Sequence, residues 1–507
     1  MNILLVYPEN PVTFWSFKHA LKFINKKANL PPLGILTVAA MLPKEWNLKL
    51  VDMNTRQLRN KDISWADFVF ISAMNIQKES ARKVIDRCKG LGRKIVAGGP
   101  LFTCDSESFG DVDHLLLHEG EVCIPKFLDD LRNGAPKRKY GWEDYPQITE
   151  TPIPMWNLID MKKYEMLSIQ YSRGCPFNCE FCNVVSLFGH QPRTKTVEQT
   201  IGELESIYNL GWRGSIFFVD DNFIGNKQKL KNEILPQIIN WTRERNYPFD
   251  FFTEASINIA DDEELMELMA DAGFDSVFLG IETVDEDCLA ECNKVQNTKR
   301  DLIENIKRIQ SHGLQVQGGF ILGFDNDKAS IFSNMISFIQ NSGIVTAMVG
   351  LLTALKGTKL FERLKKEDRL LDGFSAGNTN VNFVTKMPLH DLLDGYRNVV
   401  SSLYSPKNYY KRVKLFLENF RPKNLRRSKI GITYICAFFR ACILLGVFSK
   451  GRWAYWKLLR WSLLKDWQTF VMAVKFAVYG YHFRKCLTET AITVGVGAPQ
   501  AGILRRQ

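Results

Sequence analysis

Three cysteines constrain this chain more than any other feature. Cys175, Cys179 and Cys182 stand in the segment Tyr-Ser-Arg-Gly-Cys-Pro-Phe-Asn-Cys-Glu-Phe-Cys, which spans residues 171–182. With 11 cysteines in 507 residues, the chance that cysteines fall at both offsets by accident is about 0.005. A [4Fe–4S] cluster held by three thiolates keeps one iron with an open coordination position, as a catalytic metal must. The spacing therefore predicts a catalytic iron–sulfur cluster.

Two other interpretations of the triplet are weaker. A structural zinc ion needs four ligands, and the nearest candidate for a fourth is His190. A disulfide is disfavoured because the chain starts with Met-Asn-Ile-Leu-Leu-Val-Tyr, which is typical of a strand and not of a signal peptide. We therefore expect a cytoplasmic protein whose other cysteines are ordinary thiols.

Residues 1–135 predict an N-terminal Rossmann-like domain. Short apolar runs at 3–7, 48–51, 68–72, 94–97 and 115–117 alternate with helical stretches, which is typical of a doubly wound parallel sheet. Such sheets bind ligands beyond the carboxyl ends of their strands. Candidate ligand-binding residues at these ends are Pro8, Glu9, Asn10, Ser72, Ala73, Met74, Gly98, Gly99, Glu119 and Gly120. The pattern alone suits cobalamin, a flavin or a nucleotide, although G-x-G-x-x-G and P-loop motifs are absent.

A proline-punctuated linker is predicted over residues 136–165, before a second βα series over 166–365. Strands at 167–171, 215–219, 251–254, 277–281, 316–322 and 348–352 alternate with helices expected to span 12 or more residues. Six such units predict a partial (β/α)6 barrel with its chemistry at the carboxyl ends of the strands. The cysteine triplet follows the first strand. Polar side chains follow the next three strands: Asp220, Asp221, Asn222, Glu254, Ser256 and Glu282.

These segments together resemble the radical S-adenosylmethionine (SAM) enzymes, whose motif is C-x3-C-x-aromatic-C, with Phe181 at the aromatic position. The resemblance extends to the cobalamin-dependent branch that contains the hopanoid C-2 methylases. The segments that carry it are 217–226, 253–256, 278–282, 319–325 and 405–410. One departure is Lys356, where the family pattern leads us to expect proline, so that loop is expected to be less rigid.

The resemblance implies three cofactors and a set of ligands. The cysteines hold the cluster, Phe181 in the same loop is a candidate SAM contact, and SAM occupies the open iron. The segment Asp220–Asn222 receives the SAM amino group, while Glu254, Ser256 and Glu282 are candidates for the ribose and sulfonium surroundings. Arg193 and Lys195 either offset the charge of a carboxylate or of the cluster, or are ordinary surface residues. The cobalt-ligating D-x-H-x-x-G motif is absent, so we expect cobalamin without a histidine ligand and His19 as a solvated helical residue.

The activity implied by the resemblance is methylation of an unactivated carbon. A reduced cluster cleaves SAM, the resulting radical removes a substrate hydrogen, and methylcobalamin supplies the methyl group. Flavodoxin or ferredoxin is the expected one-electron reductant, and a small or lipidic, polycyclic molecule is the expected substrate. Two alternatives remain open, a cyclisation or rearrangement with the same cofactors and a non-enzymatic corrinoid or redox sensor. A methylthiotransferase is less favoured because Cys88, Cys104 and Cys123 lack compact spacing.

The C-terminal region differs in kind from the rest. Residues 407–485 carry 18 lysines or arginines against two acids, a local formal charge of +16 in a chain of +11. We predict a mostly helical domain over 366–490 and a flexible tail over 491–507. Tryptophans and cations together favour peripheral contact with the anionic inner face of a membrane, with a helical cap on the active site as the alternative. Arg440 interrupts the apolar runs, so no membrane span is expected, and no nucleic-acid partner is expected either.

Overall fold

The computed structural model describes residues 1–141, 144–371, 381–420 and 432–494, with residues 490–494 described by their backbone alone. The strands are β1 (Asn2–Tyr7), β2 (Asn47–Asp52), β3 (Phe68–Ser72), β4 (Lys94–Gly98), β5 (His114–Leu116), β6 (Lys139–Tyr140), β7 (Met166–Ile169), β8 (Ser172–Arg173), β9 (Arg193–Thr194), β10 (Ser215–Phe218), β11 (Asp250–Ala255), β12 (Phe274–Glu282), β13 (Gln315–Leu322) and β14 (Ala347–Leu351).

The α-helices of the N-terminal sheet and the barrel are α1 (Lys18–Leu21), α2 (Leu33–Met41), α3 (Asn60–Trp65), α4 (Lys78–Gly90), α5 (Pro100–Cys104), α6 (Gly120–Arg132), α7 (Val184–Phe188), α8 (Val197–Asn209), α9 (Lys227–Lys229), α10 (Leu235–Glu244), α11 (Glu263–Ala272), α12 (Glu286–Glu291), α13 (Leu302–Ser311), α14 (Ile331–Ser342) and α15 (Lys359–Lys366). The C-terminal helices are α16 (Leu389–Tyr404), α17 (Pro406–Asn419), α18 (Ile432–Gly446), α19 (Arg452–Lys465) and α20 (Trp467–Val494).

The N-terminal sheet is parallel, in the order β2-β1-β3-β4-β5-β6. Strand order therefore reverses between β1 and β3, and a crevice opens there at the carboxyl ends. Helices lie on both faces. In β1, Ile3 and Leu5 enter one core while Leu4 and Val6 enter the other, because successive side chains point to opposite faces of a strand. The predicted doubly wound fold is confirmed.

The second sheet is also parallel, in the order β14-β13-β12-β11-β10-β7. The predicted six-stranded partial barrel is confirmed, although α11 and α13 are shorter than expected, at 10 residues each. Strand β6 lies inside the segment predicted as a linker and pairs with β5. The N-terminal sheet is therefore one strand wider than its sequence pattern indicates.

The C-terminal helices pack against both other parts of the chain. Helix α20 contacts α1 as well as α16, α17, α18 and α19. Arg440, which interrupts the apolar run, donates to the carbonyls of Lys22 and Phe23 and to Asn25 Oδ1. In the described part of the chain, no helix is both long enough and apolar enough to cross a membrane. Most of the predicted tail, residues 495–507, lies outside the described residues.

Arg412 on α17 ties this helical region to the barrel. Its guanidinium is buried and donates to Gln340 Oε1 on α14, to the Leu403 carbonyl and to the Val345 carbonyl before β14. The rings of Tyr404 and Tyr409 lie 5.8 and 5.4 Å from it. Five donors on one plane make this arrangement possible, and a lysine ammonium cannot reproduce it.

We expect Arg412→Lys to lower the free energy of unfolding by about 1–3 kcal/mol, because buried acceptors lose their donors. Chemical denaturation of the purified full-length chain measures this change. Lys411→Gln is the matched control, since Lys411 is exposed on the same helix. Equal stability of the Arg412 and Lys411 variants would show that the guanidinium contacts do not hold the two parts together.

Candidate active site

The cysteine loop begins at a position that only glycine can occupy. Gly174 has φ +94°, and a Cβ there would lie 2.8 Å from the Gln191 carbonyl and 2.9 Å from the Gly189 carbonyl. These oxygens belong to the backbone, so no side chain can move aside. The antiparallel pair of β8 and β9 closes the loop at its base. The backbone that leads from the barrel to Cys175 is therefore sharply turned and tightly packed.

Two amide side chains approach the thiols of the cysteine loop. Asn222 Nδ2 lies 4.0 Å from Cys175 Sγ, and Gln296 Nε2 lies 3.8 Å from Cys179 Sγ. Asn183, next to Cys182, instead directs its amide to Cys104 Sγ of the N-terminal domain at 3.7 Å. Hydrogen bonds to cluster sulfurs adjust the reduction potential of an iron–sulfur centre. The loop is thus equipped with donors suited to a cluster.

A single zinc ion fits this loop poorly. Within the described ranges, the three cysteine thiols do not lie close enough together to share one metal ion. His190, the sequence candidate for a fourth zinc ligand, is exposed. Phe181 packs against Phe324, with ring centroids 6.3 Å apart, and so anchors the loop. The donor set suits a multi-iron cluster with three thiolates.

Asp220 has a structural task in this geometry. It is buried, and its carboxylate accepts hydrogen bonds from the backbone amides of Tyr171 and Ser172 and from the Ser172 hydroxyl. These contacts join the end of β10 to the strand that leads into the cysteine loop. The contact with SAM implied for Asp220 stays a prediction.

Asp221 and Glu254 form the centre of an acidic group. Burial raises the pKa of Asp221 to about 6. Burial, followed by the charges of Asp221, Asp220 and Glu282, raises the pKa of Glu254 to about 8. Asn222 is buried beside them and lies 3.4 Å from the Ser256 hydroxyl. A cationic ligand is favoured here, because it would offset the mutual repulsion of the carboxylates.

Glu282 forms a buried ion pair that the sequence did not reveal. It ends β12 with φ +65°, and its Oε1 lies 2.9 Å from Lys294 Nζ. A Cβ on Gly280 would lie 2.3 Å from Glu282 Oε1, so glycine leaves the room for this pair. Burial lowers the pKa of Lys294, but the charges of Glu282 and Cys179 outweigh it and raise the value. Lys294 therefore places a fixed positive charge beside the cluster loop.

A cavity of about 290 Å³ lies at this end of the barrel. Its walls combine aromatic and aliphatic side chains with the carboxylate of Glu282. The lining residues are Phe14, Trp15, Phe278, Glu282, Gly319, Phe320, Ile321, Met348, Val349 and Gly350. The Trp15 and Phe278 rings lie 4.8 Å apart, so the N-terminal domain and the barrel meet in the wall.

The predicted cobalamin-binding loops converge at the crevice of the N-terminal sheet. Gln77 is buried, donates to the Pro8 carbonyl at 2.6 Å and accepts from the Met74 amide at 2.8 Å, which joins the loops after β1 and β3. Gln77 is absent from the sequence-based candidates. The loop backbones are further fixed by hydrogen bonds from Glu9 to Ser80 and from Asn10 to Asn54.

Two of the glycines serve the packing of the protein itself. A Cβ on Gly98 would lie 2.9 Å from the Leu116 carbonyl, and one on Gly99 would lie 3.0 Å from Ser72 Oγ and 3.2 Å from the Ala73 carbonyl. Neighbouring protein atoms thus already require glycine at both positions. Direct contact between cobalamin and the predicted loop residues, including Gly120 at the start of α6, stays a prediction.

Glu119 lies in a buried ion cluster between the two sheets. Its carboxylate pairs with Arg193 at 2.7 Å and with Arg173, which also pairs with Glu121 at 2.8 Å. Lys195 is buried as well, in a pair with Glu203. Arg193 and Lys195 therefore offset the charge of carboxylates, one of the roles expected for them, and are not ordinary surface residues. The predicted role of Glu119 at cobalamin is not required to explain its position.

His19 is not the solvated residue that we expected. Its side chain is buried against α20, where its Nε2 lies 3.1 Å from Glu489. Sequence pattern could not reveal this, because the burying helix lies more than 450 residues further along the chain. Cys88 and Cys123 lie in different cores of the N-terminal domain. They therefore cannot share a second cluster, as a methylthiotransferase would need.

Comparisons with known proteins agree with this architecture. Residues 23–128 match the B12 binding domain, residues 169–339 match the radical SAM superfamily, and residues 358–493 match a domain of unknown function, DUF4070. The structure of the cobalamin-dependent SAM radical enzyme OxsB is similar, with a TM-score of 0.61 and 16% identity over 100% of this chain and 82% of that one. That likeness supports the fold.

Two sequence relatives are closer. An uncharacterized methyltransferase from Synechocystis sp. is 42% identical over 83% of this chain and 80% of the relative. The hopanoid C-2 methylase of Rhodopseudomonas palustris is 34% identical over 92% of this chain and 90% of the relative. Together with the cysteine loop and the two parallel sheets, these similarities show that the chain belongs to the cobalamin-binding radical SAM enzymes, in the group that contains hopanoid C-2 methylase.

Proposed function

We propose that this enzyme transfers a methyl group to an unactivated carbon of an apolar, polycyclic lipid. The observation that carries the proposal is the aromatic and aliphatic cavity formed by Trp15 of the N-terminal domain and by β12, β13 and β14 of the barrel. Relatives named as methyltransferases, including a hopanoid methylase, support the reaction class.

The chain's own groups have distinct tasks in this proposal. Cys175, Cys179 and Cys182 hold the [4Fe–4S] cluster, Asp221 and Glu254 favour the cationic groups of SAM, and the crevice of the N-terminal sheet holds cobalamin. When bound, these cofactors supply the radical and the methyl group. Lys294 lies beside the cluster loop and fixes Glu282 by an ion pair. Glu282 in turn lines the cavity. The Glu282–Lys294 ion pair therefore connects the cluster loop to the substrate cavity.

The cavity wall indicates an apolar substrate. Glu282 is the one ionisable side chain among the residues that line it. Burying an apolar surface against such walls stabilises a complex by about 25 cal/mol per Å². Gly350 on β14 is one of the lining residues, and a Cβ there would lie 3.9 Å from the Phe320 carbonyl. The wall is therefore low at Gly350, which suits a flat ring system.

The proposed reductant is a flavodoxin or a ferredoxin, because cleavage of SAM needs one electron at a time. A cyclisation or rearrangement would use the same cofactors without moving a methyl group into the product. A non-enzymatic corrinoid or redox sensor would release no 5′-deoxyadenosine. Both alternatives are outcomes of the experiment below.

We expect reconstituted enzyme, supplied with methyl-deuterated SAM and apolar extracts from a deletion strain, to form a labelled product that the parent strain contains unlabelled. Mass spectrometry of the product and of 5′-deoxyadenosine measures both halves of the reaction. The Cys175→Ala, Cys179→Ala, Cys182→Ala triple variant is the control and should form neither. A product that carries no deuterium would identify the enzyme as one that catalyses cyclisation or rearrangement. Absence of 5′-deoxyadenosine would identify the protein as a non-enzymatic sensor.

The cavity wall offers a graded test of the substrate site. A Cβ on Gly350 would lie 3.9 Å from its nearest neighbour, the Phe320 carbonyl, so small side chains fit. We expect Gly350→Ala to be tolerated and Gly350→Leu to lower kcat/KM for methylation at least tenfold, because the larger side chain fills the cavity. Cluster content and 5′-deoxyadenosine release without substrate should be unchanged. Equal methylation by both variants would place the substrate elsewhere.

We further propose that the C-terminal helices bind the anionic face of a membrane. Helices α18 and α19, the segment between them and the start of α20 expose apolar side chains, among them Phe448, Trp453 and Leu464, which are 76%, 77% and 78% exposed. Lys450, Arg452, Lys457 and Arg460 are exposed in the same region. Interfacial aromatics and cations together hold proteins on lipid headgroups. Such a location would bring the enzyme to a lipidic substrate.

We expect strong binding to phosphatidylglycerol vesicles at low salt and weak binding at several hundred millimolar salt. The electrostatic screening length shortens as ionic strength rises, which weakens the attraction between the cations and the lipid headgroups. Changing Lys450, Arg452, Lys457 and Arg460 to Gln should weaken binding at low salt by more than tenfold, at about 1 kcal/mol for each cation. Lys465 is left unchanged because its ammonium donates to the Leu417 carbonyl. Vesicle sedimentation measures these effects.

Two controls separate membrane binding from general loss of charge or apolar surface. Gln replacements of Lys307 and Lys366, which are exposed on the barrel, should leave binding unchanged. Trp453→Ala should weaken it, whereas Leu210→Ala, at an exposed barrel position, should not. Equal binding to neutral and anionic vesicles, or none to either, would leave these helices as a cap on the other domains.

A further inference from the structure

A group of metal-binding side chains joins the beginning of the chain to its last described helix. His19 of α1 lies beside His482 and Cys486 of α20, and one donor atom from each of the three lies within 4.8 Å of the others. All three side chains are buried. The positions 482 and 486 are one helical turn apart, so both point to the same side of α20. None of these residues belongs to the site described above.

The hydrogen bonds around the two histidines define which ring nitrogen of each could bind a metal. His482 Nδ1 accepts a long hydrogen bond of 3.4 Å from the His19 backbone amide, which a metal ion would replace. His482 Nε2 lies 3.0 Å from the Phe14 carbonyl, and His19 Nε2 lies 3.1 Å from the Glu489 carboxylate. Carbonyl and carboxylate oxygens only accept, so each Nε2 carries the proton and each Nδ1 keeps its lone pair. Histidines that bind metals almost always donate their other ring N–H in this manner.

The spacing of the donors also suits a small tetrahedral ion. Cys486 Sγ lies 3.5 Å from both His482 Nδ1 and His482 Nε2, so a small rotation of the ring or the thiol would bring Nδ1 and Sγ around one ion. Zinc bound to sulfur at about 2.3 Å and to nitrogen at about 2.0–2.1 Å in tetrahedral geometry places these two atoms about 3.5 Å apart. Hard ions such as magnesium and calcium prefer oxygen ligands and are disfavoured by two imidazoles and a thiolate.

We propose that His19, His482 and Cys486 form a zinc site in which a water molecule is the fourth ligand and Glu489 orients His19. The zinc ion would fix α20 to the segment Thr13–His19 of the N-terminal domain. Phe14 and Trp15 of that segment line the substrate cavity, and Cys486 lies 3.5 Å from the Thr13 carbonyl. Zinc would therefore hold the outer wall of the cavity in place without entering the reaction.

The test uses the full-length chain in which Cys175, Cys179 and Cys182 are changed to Ala, so that the cluster site cannot bind zinc. We expect close to one zinc per chain after dialysis against a slight excess of zinc, measured by elemental analysis. Adding Cys486→Ser or His482→Gln should remove this zinc. Cys442→Ser is the matched control and should retain the zinc, because Cys442 is a half-buried cysteine of the same helical region that is not one of the proposed ligands.

Cobalt gives an independent readout. Co2+ bound at this site should show a thiolate charge-transfer band that disappears in Cys486→Ser and persists in Cys442→Ser. Glu489→Gln should weaken zinc about 10–100-fold, as outer-shell changes do, with occupancy restored at higher zinc concentration. Because Glu489 is exposed, this variant should fold even where a buried substitution does not.

Three outcomes would overturn the proposal: no zinc in the cluster-free chain, zinc that survives both ligand changes, or equal zinc affinity in Glu489→Gln. The three side chains would then form only a hydrogen-bonded core. If the cluster-free chain is insoluble, zinc and iron can be measured separately on the iron-reconstituted holoprotein and on its Cys486→Ser variant. Zinc that is present in the first and absent from the second would support the site, and equal zinc in both would overturn it.

Discussion

The buried ion cluster of Glu119, Glu121, Arg173 and Arg193 is the interaction on which the geometry of this enzyme depends. Glu119 and Glu121 follow β5 of one sheet, and Arg173 leads directly into the cysteine loop at the end of the other. The cluster therefore places the carboxyl ends of two parallel sheets opposite each other. Breaking one partner of such a buried group leaves an uncompensated charge, which costs about 3–5 kcal/mol. These arginines thus hold in place the carboxyl ends of the two sheets, where the sites proposed for cobalamin and SAM lie.

Charged residues of opposite sign occupy different places between the two sheets. Carboxylates collect on the barrel side, where Asp221 and Glu254 have raised pKa values because of burial. Lys294, a buried lysine, lies between this acidic group and the cluster loop and pairs with Glu282. Negative groups thus collect where a cationic ligand is favoured, while a positive group lies beside the cysteine loop. The wall of the neighbouring cavity, by contrast, is nearly free of charge.

The sequence allowed both sheets and the cluster cysteines to be predicted, because strand–helix alternation and a short cysteine spacing are local signals. It could not reveal Lys294, Gln77 or Trp15, since each gains its role from a neighbour distant in the chain. His19 was wrongly expected to be solvated for the same reason. The width of the first sheet was also underestimated, because β6 spans only two residues within a proline-rich segment. Lys356 replaces an expected proline, yet it pairs with Asp105 of the N-terminal domain at 2.5 Å, so rigidity lost in the loop is offset by a contact between domains.

The contact of α20 with the segment around Phe14 has a consequence for the order of assembly. His482 and Phe14 are hydrogen-bonded although they lie 468 positions apart. During synthesis, α20 emerges long after the N-terminal sheet and the barrel have had time to fold. Until then, Phe14 lacks its contact with Phe483 of α20, and Phe17 lacks its contact with Tyr479. Trp15 can already pack against Phe278 of the barrel, so one side of the cavity forms before the other. The cavity therefore reaches its final shape when the last helix has docked, which makes it the last part of the enzyme to mature.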